Sequence, residues 1–115
     1  MKKNEALTAL AALAQESRLA VFRLLVKRGP GGCAAGEVSE KLGIPGPTLS
    51  FHLKELALAG LVNARKRSRF VYYTANFERM NGLVAYLTEN CCGLGAHCAP
   101  MCVPGSTNGR RTKSP

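Results

Sequence analysis

The sequence predicts a mainly α-helical domain with one small β-hairpin, an α+β arrangement in the order α-α-α-α-β-β-α. Three observations carry this. Apolar residues recur at helical spacing through most of the first 90 positions. Breakers at Gly29-Pro30-Gly31-Gly32, at Gly43 to Pro47 and at Gly60 cut that pattern into short helices. A β-rich stretch, VNARKR followed by RFVYYTA, then precedes the last helical run.

The first helix is expected at about residues 4–14, where Leu7, Leu10, Ala11 and Ala14 follow i, i+3, i+4, i+7 spacing. The same start, MKKNEALTALAALAQ, mimics an export signal in its two lysines and its Ala12-Leu13-Ala14 end. Glu5 and Thr8 interrupt the apolar part, and an amphipathic helix accounts for the same residues. A second helix begins near Glu16, turns Leu19, Phe22, Leu25 and Val26 inward, and stops at the Gly29–Gly32 breaker. A short third helix spans about Ala35 to Leu42 and ends at Gly43. Pro47 suits the first position of a fourth, which runs to about Ala59 with Gly60 as its stop.

Residues 62–67 and 69–75 read as two strands joined tightly at Ser68, a hairpin with a basic tip. The last helix covers about 77–90, with Met80, Leu83, Val84 and Leu87 in one apolar stripe. Beyond it, Gly93, Gly95, Pro100 and Pro104 forbid a long helix, and GSTNGRRTKSP is expected to be a disordered basic tail. The expected organisation is a folded domain over 1–90, a cysteine-rich segment over 91–104 and the tail over 105–115. Two short helices joined by a tight turn, followed by a basic hairpin, make a winged helix-turn-helix.

Bulk properties bound the function. The chain has 115 residues, enough for one domain with a modest core but not for an enzyme with a deep cleft. Sixteen Lys and Arg stand against seven acidic residues, all Glu, for a net charge of +9. That excess favours a polyanionic partner, nucleic acid or an anionic membrane surface, over simple solubility. No apolar run approaches the ~18 residues needed to span a bilayer. The five cysteines are odd in number and four of them are clustered, which fits reduced thiols in a cytoplasmic setting with metal or redox chemistry.

The fourth helix carries the candidate reading face. Leu49, Leu53, Leu56 and Gly60 share one side and are expected to pack inward. Pro47, Phe51 and Lys54 point the opposite way, with Thr48 and Ser50 on the flanks. An outward Phe among small polar residues suits a helix that enters a major groove, where apolar groups meet thymine methyls and hydroxyls meet base edges. His52 lies nearer the core flank and admits both a structural role and a DNA contact. Lys54 fits either a phosphate contact or a solvated lysine. Arg65, Lys66, Arg67 and Arg69 on the hairpin could simply guard a sheet edge. Beside such a helix they are better read as minor-groove or phosphate contacts, with affinity that falls as salt rises.

The segments ESRLAVFRLLVKRG, EVSEKLGIPGPTLSFHLKELALAGLV and RKRSRFVYYTAN resemble the ArsR/SmtB family of metal-responsive winged-helix repressors over roughly residues 5–90. The Ser50-x-His52-Leu53 to Gly60-Leu61-Val62 stretch is specific to that family. The resemblance implies a homodimer joined through its first and last helices, bound to an inverted-repeat DNA operator and released by an inducer. Three departures stand out. The wing turn has Ser68 where the family usually has Gly. The third helix lacks the Cys-x-Cys pair of the best-known arsenite sensors, with only Cys33 upstream. The last helix offers Glu78, Arg79, Asn81, Thr88, Glu89 and Asn90 in place of the family's zinc ligands.

The inducer site is therefore expected at Cys91, Cys92 and Cys98, with Cys102 as a possible fourth ligand. The first three match the Cys-Cys-x5-Cys of a subgroup of arsenical-responsive repressors, which implies trivalent arsenic or antimony, As(III) or Sb(III), on a three-thiolate pyramid. The residues by themselves also admit zinc, cadmium, lead or bismuth with Cys102 or His97 as fourth ligand, or thiol oxidation. Neighbouring helical residues point about 100° apart, so Cys91 and Cys92 can share one ion only where the helix ends, and Gly93 and Gly95 permit that bend. Cys33 reads as a small apolar residue, with a bridge across the dimer as the alternative. A thiol enzyme would need a low-pKa cysteine near a helix N-terminus or a phosphate loop, and no such motif is present.

Overall fold

The computed structural model describes residues 1–91. Helix α1 spans Lys3–Leu13 and α2 Glu16–Arg28. A 3-10 turn at Gly29–Gly31 leads to a two-residue strand β1, Cys33–Ala34. Helices α3 (Ala35–Leu42) and α4 (Gly46–Leu58) form the helix-turn-helix pair. Strands β2 (Val62–Arg67) and β3 (Phe70–Ala75) form the wing, and α5 covers Phe77–Thr88. Residues 1–83 make one compact unit, and a second begins at Val84.

The capping chemistry explains why the helices start and stop where they do. The Glu5 carboxylate accepts the Lys2 backbone N–H at 2.9 Å, satisfying an orphan donor at the start of α1. The Gln15 side chain does the same for Arg18 N–H at 2.9 Å, and α2 carries Glu16 in its first turn and Lys27 and Arg28 in its last, signs that suit its dipole. The Arg18 guanidinium donates to the Ala12 carbonyl at 2.7 Å and ties the two helices together. Gly43 ends α3 in the left-handed region at φ 66°.

The core is built from Val21 and Leu25 of α2, Val38 of α3, Leu49, Leu53 and Leu56 of α4, and Leu61 just beyond it, with Cys33 among them. The inward face of α4 is thus the expected one. That of α2 differs: Leu19 is 43% exposed, and Val21 is fully buried in its stead. At ~100° per residue Val21 lies about 40° from Leu25 around the helix, whereas Leu19 lies about 120° away, on the margin of the buried face. Helix α1 meets the core through Ala6 and Ala9, whose small side chains allow close approach, so Leu7 and Leu10 remain exposed.

The hairpin proves to be two strands of a three-stranded antiparallel sheet in the order β1-β3-β2. In register, Cys33 pairs with Tyr73 and Ala34 with Tyr72, while Val62 to Arg67 pair with Ala75 to Phe70. A two-residue strand has no periodicity to betray it in sequence. Gly32 makes the pairing possible: it adopts φ +75°, and a Cβ there would lie 2.7 Å from the Tyr73 carbonyl oxygen. Asn76 then closes the unit. Its backbone N–H donates to the Leu61 carbonyl at 2.8 Å, its side-chain N–H to the Gly60 carbonyl at 2.9 Å, and its side-chain oxygen accepts Arg79 N–H at 3.0 Å as the N-cap of α5.

Candidate nucleic-acid interface

Helix α4 divides its side chains as a reading helix must. Leu49, Leu53 and Leu56 anchor one face, and Pro47, Thr48, Ser50, Phe51 and Lys54 are all exposed on the rest. Phe51 is 55% exposed. His52 is 7% exposed, and its Nδ1 has no hydrogen-bond partner. Its surroundings are therefore those of a core-flank residue, the structural one of the two roles the sequence left open for it. It meets Phe51 edge-to-face.

The wing presents Arg65, Lys66, Arg67 and Arg69 to solvent. Arg69 sits in the tip and not in the second strand, which begins at Phe70. Ser68 takes a positive φ of 59°, a conformation that glycine adopts without penalty. The Arg67 guanidinium lies over the Tyr72 ring, 5.5 Å from its centroid.

A further cluster orients α3 from behind. The Arg28 guanidinium donates to the Glu37 carboxylate, and the Cys33 thiol donates to the same group. The Arg28 bond holds the Glu37 carboxyl below its ordinary value, with the Cys33 bond adding to it. Burial pushes the Cys33 thiol up, and the adjacent carboxylate pushes it further. Cys33 has no accessible surface, so it is placed for packing and not for a bridge to another chain.

Of the C-terminal cysteines only Cys91 is described. It is exposed and its backbone N–H donates to the Thr88 carbonyl at 3.0 Å. Cys92, Cys98 and Cys102 lie outside the described residues. Helix α5 ends at Thr88 and Asn90 takes φ 61°, so the backbone leaves the helical path before Cys91. Asn90 is a residue tolerant of the left-handed region, and the bend expected at Gly93 and Gly95 lies outside the described residues. Among the described residues no group of three or more His, Cys, Asp or Glu could hold a metal ion, and no helix is long and apolar enough to cross a membrane.

Comparison with known proteins agrees with this geometry. Residues 13–65 match a family described as a helix-turn-helix domain. The chain is 48% identical over 61 residues to the HTH-type transcriptional regulator YceK of Bacillus subtilis, spanning 53% of this chain and 60% of that protein. It is 33% identical over 94 residues to the transcriptional activator HlyU of Vibrio cholerae, covering 80% of this chain and 84% of that one. It is 35% identical over 81 residues to the arsenical resistance operon repressor of Bacillus subtilis, covering 70% and 73%. An ArsR-like transcriptional regulator from a Rhodococcus species shares the fold with a TM-score of 0.69 at 24% identity, over 79% of this chain and 83% of that one.

Fold and exposed helix face together define a winged helix-turn-helix transcriptional regulator that binds DNA. The chain belongs to the ArsR family, and its relatives are regulators and not enzymes.

Proposed function

We propose that this chain is a homodimeric repressor of an inverted-repeat operator, released when As(III) or Sb(III) binds Cys91, Cys92 and Cys98. The observation that carries the reading is the end of α5 at Thr88 with Asn90 at φ 61°. On a continuous helix Cys91 and Cys92 would diverge by about 100°. Once the backbone departs from that path, the divergence that a continuous helix would impose on the two cysteines no longer applies. Thiolates are soft donors suited to such ions. The likeness to the arsenical resistance operon repressor of Bacillus subtilis supports the same ligand class.

Leu7 and Leu10 on α1, and Val84 and Leu87 on α5, are among the exposed large apolar residues and are the ones we assign to a second copy of the chain. Pro47, Thr48, Ser50, Phe51 and Lys54 then read the major groove, and Arg65, Arg67 and Arg69 hold the backbone or the minor groove. Binding of an ion by the cysteines directly after α5 would alter the relative pose of the two DNA-reading heads.

The test is a mobility-shift assay at fixed salt, on a duplex selected from random sequence by the protein. Arsenite or antimonite releases the wild-type chain from this duplex. A Cys91→Ser, Cys92→Ser, Cys98→Ser triple variant binds and stays bound, and Cys102→Ser responds like wild type. Release of the triple variant by arsenite would overturn the assignment. Release by zinc, cadmium, lead, bismuth or peroxide in place of arsenite would move the site to the corresponding chemistry.

A further inference from the structure

The wing carries more than its charge requires. In the β2–β3 register Arg67 pairs with Phe70, Arg65 with Tyr72 and Asn63 with Thr74. Directly opposed residues of an antiparallel pair share a face, so Arg65, Arg67, Phe70 and Tyr72 stand together on one side of the hairpin. The other side holds Val62, Ala75 and Tyr73 at the base of the hairpin, where Val62 and Ala75 are buried, and Lys66 and Val71 toward the tip, where both are exposed. At the base, the face with the arginines is thus the outer one. Within it the Arg67 guanidinium covers the Tyr72 ring, 5.5 Å from its centroid, while Phe70 is left 59% exposed beside the turn.

We infer that, in the minor-groove contact already proposed for the wing, Phe70 is the apolar anchor, packing on deoxyribose edges while Arg65, Arg67 and Arg69 meet the phosphates. The inference rests on the DNA-binding reading above and adds a residue and a type of contact to it. Charge complementarity selects the occupant. Residues 63–76 contain four cations and no acidic residue, so a second copy of the wing is repelled and a polyanion is attracted. Aromatic and aliphatic side chains are the groups that proteins place in a minor groove alongside arginine. Tyr72, already covered by Arg67, stiffens that arginine and leaves Phe70 as the uncovered ring.

The two kinds of contact differ in their response to salt. Each phosphate contact contributes a slope of about −0.9 in log affinity against log salt, through released counterions. An apolar contact releases none. Binding of Phe70→Ala, Phe70→Leu, Arg69→Gln and wild type to the selected duplex is therefore compared by fluorescence anisotropy at three salt concentrations, with thermal unfolding of each. Phe70→Ala is expected to weaken binding about tenfold at every salt concentration with the slope unchanged, as loss of a partly buried Phe implies, and Phe70→Leu to recover part of it. Arg69→Gln is expected to reduce the slope by about one. Because Phe70 is exposed, the unfolding temperature of the free protein should be unchanged.

Equal affinity of Phe70→Ala and wild type, or a slope change in Phe70→Ala as large as that in Arg69→Gln, would overturn the inference. So would intact duplex binding with lost binding to anionic vesicles or to an acidic peptide. Absence of duplex binding by the wild-type chain would instead refute the DNA-binding reading itself.

Discussion

The rings of Phe51 and His52 meet edge-to-face, with centroids 5.7 Å apart and planes inclined by 62°. One ring is half exposed and the other is buried, although they are neighbours in sequence. The pair therefore connects the outer face of α4 to its packed side, and it separates two jobs that lie side by side in the chain. Phe51 is exposed to solvent, and His52 is the buried ring against which it rests.

Substitutions at the two positions should diverge accordingly. Phe51→Ala is expected to leave the unfolding temperature near that of wild type while lowering operator affinity at least tenfold, read by anisotropy. His52→Leu removes a buried nitrogen that has no partner and retains most of the volume, so stability is expected to stay level or rise by ~1 kcal/mol. Chemical denaturation measures it, and a loss above ~2 kcal/mol would show that His52 finds a partner in solution.

The turn of the wing is open to improvement. Ser68 occupies a positive-φ position that glycine adopts at little cost. Ser68→Gly is expected to strengthen the hairpin by up to ~1 kcal/mol, observed as slower amide exchange in β2 and β3. Faster exchange would mean that the Ser68 side chain contributes a bond outweighing the backbone penalty.

The bond network behind α3 predicts a pH dependence with a definite sign. Glu37 is held below its ordinary 4.5, chiefly by Arg28. A carboxyl with a depressed folded-state pKa stabilises the fold above the unfolded-state value, and that contribution disappears as pH falls through the lower, folded-state value. Wild type should thus unfold at a higher temperature than Glu37→Gln at pH 7, and the gap should close below about pH 4.5. In the same network the raised Cys33 thiol, without accessible surface, should resist alkylation near neutral pH until the protein unfolds. Mass spectrometry of alkylated native protein checks this at the single residue.

Asn76 supplies a test of how the helix-turn-helix unit is closed. It bonds the ends of α4 and β2's approach while capping α5. Asn76→Ala loses both side-chain bonds and is expected to cost about 2 kcal/mol, near the upper end of cap losses. Asn76→Asp keeps the acceptor and should recover the cap but not the bond to Gly60. Equal stability of the two variants would assign the whole effect to the Gly60 contact.

Much of the architecture was legible in the chain itself. The inward row of Leu49, Leu53 and Leu56, the outward Phe51, the stops at Gly29, Gly43 and Gly60 and the basic hairpin all follow from local spacing and backbone chemistry. The short strand at Cys33 and the Asn76 bonds were not legible. Each depends on a partner some 40 residues or 16 residues away along the chain, and neither leaves a periodic trace.

By itself, then, the sequence determined the order of the five helices and the two hairpin strands and the class of partner, because periodicity, turn residues and net charge are local or additive properties. Tertiary structure decided which side of each element faces inward where the pattern was broad. It set Val21 rather than Leu19 in the core, buried His52, brought Cys33 against Glu37 and aligned Phe70 with the wing arginines. Those outcomes depend on strand register and helix packing, which arise only when distant segments compete for the same buried space.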